Sequence, residues 1–114
     1  RDAVVETRYV STKKVLELCR LAGRGQGECL FGAARTFGDR DGIEGAKRAA
    51  AFCARAPRVG RADCASGLGI VLGLLYPTDV TRRGACARLT PKYVEACARA
   101  AIGEVDPSGR TAWG

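Results

Sequence analysis

Six cysteines fall in three units of nearly constant length, and this constrains the chain more than any other feature. The units are Cys19 to Cys29, Cys53 to Cys64 and Cys86 to Cys97, and all six cysteines belong to them. Each unit carries a helix-breaking Gly or Pro between its two sulfurs. The first cysteines recur at 19, 53 and 86, steps of 34 and 33 residues. The second recur at 29, 64 and 97, steps of 35 and 33. A period of about 34 residues is the length of one helix–turn–helix solenoid unit. Local echoes support it, since Cys53-Ala54-Arg55, Cys86-Ala87-Arg88 and Cys97-Ala98-Arg99 share one signature.

An even number of evenly spaced cysteines in a 114-residue chain reads as a disulfide framework, and so as an oxidising compartment. Metal binding is the competing use of cysteine. It has little support, because there is no CxxC pair and no histidine to complete a zinc site. Antiparallel helices approach one another near their turn. The expected bridges, among the fifteen pairings six cysteines allow, are therefore Cys19–Cys29, Cys53–Cys64 and Cys86–Cys97.

The periodicity predicts six helices. Ser11 is an N-cap for a helix over 12–22, with Val15, Leu18, Cys19 and Ala22 on its apolar face. Gly23, Gly25 and Gly27 end it, and a second helix runs from Gln26 or Glu28 to Phe37, with Gly38 as C-cap. Asp41 and Glu44 resemble a capping box for a third helix over 42–56, with Ile43, Ala46, Ala50 and Cys53 on one stripe and Pro57 as its stop. The fourth, over 61–75, is apolar all round from Ala65 onward, as expected of a helix buried on every side. Its Gly67, Gly69 and Gly73 cost about 1 kcal/mol each in helix propensity but admit close neighbouring backbones. A fifth helix, capped by Thr78 or Asp79, runs to Leu89. A sixth opens on Thr90-Pro91 and ends at Gly103.

The reading is an all-α fold: three disulfide-stapled helical hairpins forming a short solenoid or compact bundle over residues 11–103. An N-terminal arm (1–10) and a C-terminal tail (104–114) flank it, both with apolar residues the hairpins have no evident place for, and the tail with the only tryptophan, Trp113. The start at Arg1, without Met or an apolar leader, leaves room for a leader or upstream domain. Paired cysteines at this spacing resemble the twin CX9C hairpins of mitochondrial intermembrane-space proteins. There each pair lies on a continuous helix, a continuity that Gly23, Pro57 and Pro91 break here. Three bridges in a helical domain are similar to those of saposin-like proteins, but the even rhythm does not suit that arrangement. The unit length resembles tetratricopeptide and Sel1-like repeats without their consensus residues. That is a likeness of architecture over Ser11 to Gly103.

Chemistry is conspicuously thin. Without histidine no Ser-His-Asp or Cys-His constellation can be built, and bridged cysteines supply no thiolate. Asp39, Asp41 and Glu44 do not follow a calcium-loop order and read as loop and capping residues. Gly23-Arg24-Gly25-Gln26-Gly27 follows a helix rather than a strand, unlike a phosphate loop. No enzyme, cofactor or metal site is expected. The net charge of +7 points to an anionic partner only if it is concentrated. Arg20, Arg24, Arg55, Arg58, Arg61, Arg88, Lys92 and Arg99 lie in or beside the cysteine turns, and would form a basic edge if the hairpins stack in register. Few aromatics accompany them and the compartment is oxidising, so nucleic acid is not an expected partner.

The expected function is that of a protein–protein interaction or structural subunit of an extracytoplasmic assembly, secreted or periplasmic. Peripheral contact with an anionic membrane or cell-wall polymer is the alternative. A small apolar-ligand carrier built around Gly67 to Tyr76 is the third.

Overall fold

In the computed structural model each cysteine unit is one hairpin turn. Residues 11–103 are described, so expectations for the 1–10 arm and the 104–114 tail lie outside the described residues. Helices α1 (Thr12–Leu21) and α2 (Gln26–Gly38) form the first hairpin, α3 (Gly42–Ala54) and α4 (Arg61–Leu75) the second, and α5 (Asp79–Leu89) and α6 (Val94–Ala101) the third. No strand occurs among the described residues. A three-residue 3-10 turn precedes the second helix of every hairpin: Gly23–Gly25, Arg58–Gly60 and Pro91–Tyr93. Bridges join Cys19 to Cys29, Cys53 to Cys64 and Cys86 to Cys97, with Cα atoms 5.4, 5.5 and 5.8 Å apart. Each sulfur pair thus ties the end of one helix to the start of the next, and no described cysteine is free.

The second helices make the core layer. Gly38 of α2 lies on Val71 of α4, Gly67 of α4 on Phe31 and Ala34 of α2, and Gly27 on Asp63. Partner numbers rise together along both helices, so α2 and α4 are parallel. On its other side α4 sets Gly69 against Cys97 and Ala100, and Gly73 against Ala101, while Ser66 Oγ donates to the Ala96 carbonyl at 3.4 Å. Hence α6 is parallel to α4 as well. The apolar, Gly-rich α4 is the central helix, and its glycines are contact points for both neighbours. A Cβ at Gly69 would stand 2.2 Å from the Cys97 carbonyl oxygen. Helix α3 packs on both α2 and α4, and the Phe37 and Phe52 rings meet at 5.0 Å. The interior is Leu30, Phe52, Leu68, Leu72, five fully or nearly buried cysteines and many alanines, with no buried polar or charged residue among those described. A radius of gyration of 13.0 Å matches that of a compact globule of about 100 residues, so the three units close into a bundle rather than an open solenoid.

Several local expectations are corrected. In α1 the buried residues are Leu16 and Cys19, which lie on the side packed against α2, whereas Leu18 is 56% exposed. Ile43 is 42% exposed, since α3 turns Ala46, Ala49 and Phe52 inward instead. Gly38 does not cap α2. It is helical, and a Cβ there would lie 2.7 Å from a Val71 methyl, so close packing explains the glycine. No capping box forms at α3. Asp41 adopts φ +65°, its backbone carbonyl takes the Glu44 amide, and its carboxylate accepts from Arg48 Nη2 at 2.7 Å. Thr90-Pro91 opens a 3-10 turn rather than an α-helix, which restores the turn the other two hairpins use. The last turn of α4 emerges from the core, leaving Leu74 77% exposed. The Ser11 cap and the Thr78 cap do form, the latter as a capping box with Thr81.

Candidate functional site

Parallel second helices put their N-termini at one end of the layer, and the three turns lie at that end with them. Turn two is pressed against the start of α2, for a Cβ on Gly60 would meet Leu30 Cδ1 and approach Gln26. Turn three sits beside the end of α3, where Ala50, Cys53, Ala54, Leu89, Thr90, Pro91 and Tyr93 line a cleft of about 250 Å³ with Arg61 and Lys92 on its walls. The turns are not level, however. Gly38 meets Val71, 33 residues on and close to the sequence repeat, whereas Gly69 meets Cys97, only 28 residues on. Helix α6 is thus displaced about one helical turn along α4, and turn three is set back from the other two.

This placement divides the eight basic residues. Arg20, Arg24, Arg55, Arg58 and Lys92 are exposed at the turn end, and no ion pair holds any of them among the described residues. The other three are engaged. Arg61 is half-buried and donates from Nε to the Ala56 carbonyl at 2.7 Å, closing the end of α3. Arg88 lies back over Gly84 and reaches the Tyr76 hydroxyl at 3.4 Å, away from the turns. Arg99 stands close enough to Glu95 to act on its carboxyl. The ion pairs found use other cations: Lys47 with Glu44, Arg48 with Asp41, Arg82 with Asp79 and Arg83 with Glu95. Acids are present at the turn end too. Glu28 is exposed on the first turn of α2, and Asp63 lies against Gly27, both near the positive N-terminal end of α2.

Sequence reasoning missed the apolar side chains among these cations. Leu21 is 84% exposed at the end of α1, and Val59 is 83% exposed at the centre of turn two. Leu21 next to Arg20 and Val59 next to Arg58 were the available signal. A second exposed apolar group, Leu74, Leu75 and Val80, lies at the opposite end, where α4 passes to α5.

Among the described residues a single carboxyl, that of Glu95, is shifted from its ordinary range. The Arg83 guanidinium donates to Glu95 at 2.6 Å and, by that hydrogen bond and its charge, holds the Glu95 carboxyl below its ordinary range. Because the folded pKa is depressed, the stabilisation is present above the unfolded value and is lost as pH falls through the folded one. In Arg83→Gln the Glu95 carboxyl should titrate at higher pH than in the parent, as read by NMR of the side-chain carbons. An unmoved midpoint would show that the pair does not persist in solution.

Neither family models, nor curated proteins, nor solved structures gave a match to this chain.

Proposed function

We propose that this protein is a non-enzymatic interaction or structural subunit of an extracytoplasmic assembly, secreted or periplasmic. The observation that carries the reading is a clamped frame with its apolar excess on the outside. Three bridges hold the six helices, and yet Leu74 and Val80 stand 77% and 82% exposed within one seven-residue stretch, with Leu75 between them. Single exposed apolar residues are ordinary, whereas a group of large ones held out at one corner suits a partner. The three disulfides fit an oxidising compartment, and no described helix is long and apolar enough to cross a membrane.

A photo-crosslinking residue at position 80, introduced in the native host and compared with one at position 47, tests this. The expected result is a discrete adduct from position 80 alone that survives high salt. Equal labelling at both positions, or none at either, overturns it. The turn-end cations that have no ion pair among the described residues favour a second mode of attachment, to an anionic surface.

A further inference from the structure

We propose that the turn end is a peripheral docking face for an anionic lipid bilayer, with Leu21 and Val59 entering the headgroup region while Arg20, Arg24, Arg55 and Arg58 contact lipid phosphates. The proposal rests on the reading of the chain as a docking module, and it names a second surface and its partner. Charge complementarity carries the first half. Among the described residues five exposed cations without ion pairs, Arg20, Arg24, Arg55, Arg58 and Lys92, share one end; at the other end Asp41, Glu44 and Asp79 pair with Arg48, Lys47 and Arg82, which leaves the exposed Lys13 and Lys14 there without an ion pair. Glu28 and Asp63 reduce the positive potential there but leave the cations in excess.

The apolar side chains decide which anionic partner fits. A soluble polyanion offers phosphates but nothing to bury Leu21 and Val59, each more than 80% exposed beside arginines. A bilayer interface offers both: anionic headgroups attract basic residues, and apolar side chains gain by leaving water at the acyl boundary. The set-back of turn three leaves the first two turns to make first contact, and both exposed apolar residues belong to those two hairpins. The bridges Cys19–Cys29 and Cys53–Cys64 stand directly behind these turns and hold their shape during insertion.

Co-sedimentation of the disulfide-intact protein with vesicles tests this. Vesicles of phosphatidylcholine alone are compared with equal parts of phosphatidylcholine and phosphatidylglycerol, and polyphosphate-coated beads serve as the lipid-free polyanion. Binding should require phosphatidylglycerol and weaken steeply with salt. The double variant Arg24→Gln/Arg58→Gln should bind about 25-fold more weakly, at roughly fivefold per lost charge. Leu21→Ser/Val59→Ser should lose about tenfold on vesicles with no loss on the beads. The control Leu74→Ser/Val80→Ser should stay within about twofold of the parent on vesicles. All three pairs change exposed residues, and circular dichroism verifies that each variant folds.

Equal binding to phosphatidylcholine alone overturns the electrostatic half. Bead binding as tight as vesicle binding, with Leu21→Ser/Val59→Ser unaffected on both, assigns the end to a polyanion and overturns the bilayer. No vesicle binding, with salt-resistant crosslinks from position 80 intact, removes the membrane face and leaves the assembly reading standing. Vesicle binding without those crosslinks does the reverse.

Discussion

Reduction of the three disulfides is expected to unfold most of the protein. Each bridge closes a loop of 10 or 11 residues, and in the chain-entropy model each contributes about 3 kcal/mol. Together they contribute on the order of 9 kcal/mol, comparable to the whole stability of a domain this size, ~5–15 kcal/mol. The core has little in reserve, since many of its buried positions are alanine and so bury little area each. The cysteines Cys19, Cys64, Cys86 and Cys97 are themselves fully buried, so alkylating them would add bulk to the core. The cleaner variant is therefore Cys53→Ala/Cys64→Ala, which removes the clamp on the central helix. Its thermal midpoint should fall by about 12–24 °C, at ~4–8 °C per kcal/mol. Far-UV circular dichroism with and without reductant reads both effects. A reduced protein that keeps a cooperative transition within a few degrees of the oxidised one would show that helix packing alone holds the fold.

Glycine substitutions should have opposite signs according to what stands opposite them. Gly69→Ala adds a methyl that would lie 2.2 Å from the Cys97 carbonyl oxygen and 2.9 Å from the Ala100 Cβ. The oxygen belongs to backbone in α6, so α6 as a whole must move, which opens the contact made by Gly73 with Ala101 as well. Overpacking of this kind costs about 1–3 kcal/mol, offset only in part by the better helix propensity of Ala. Gly32→Ala is the counterpart. Gly32 is exposed in the middle of α2 with nothing within 4 Å of the added methyl, so it should stabilise by roughly 0.5–1 kcal/mol. Denaturant midpoints of the two variants should therefore lie on either side of the parent. A stabilised Gly69→Ala would mean that α4 and α6 are further apart than described, and the set-back of turn three would go with it.

Secondary structure was legible where a local rule acts alone. Ser11, Thr78 and Gly23 cap or turn the chain through their own backbone and side chain, and each does what its type predicts. The rules failed where neighbours decide. Leu16 and Leu18 are equally apolar, and only the side from which α2 approaches α1 determines that Leu16 is buried. Gly38 satisfies a C-cap rule and a close-packing rule equally well in sequence, and Val71 selects the second. Asp41 and Glu44 have capping-box spacing, but Arg48, one helical turn further along, draws the Asp41 carboxylate away.

The candidate site divides the same way. Cysteine spacing, with the Gly and Pro breaks between the sulfurs, points to three stapled hairpins, because helices leaving a short turn remain close for their first turn whatever surrounds them. It also places the arginines in those turns. Which cations stay unpaired, and how level the turns stand, are long-range matters. Arg88 is turned toward Tyr76 of the preceding hairpin, and α6 slides one helical turn along α4 because Gly69 and Gly73 admit its backbone there. The repeat determines the hairpin. Close packing between helices distant in sequence determines the register, and with it which part of the basic end stands furthest into solvent.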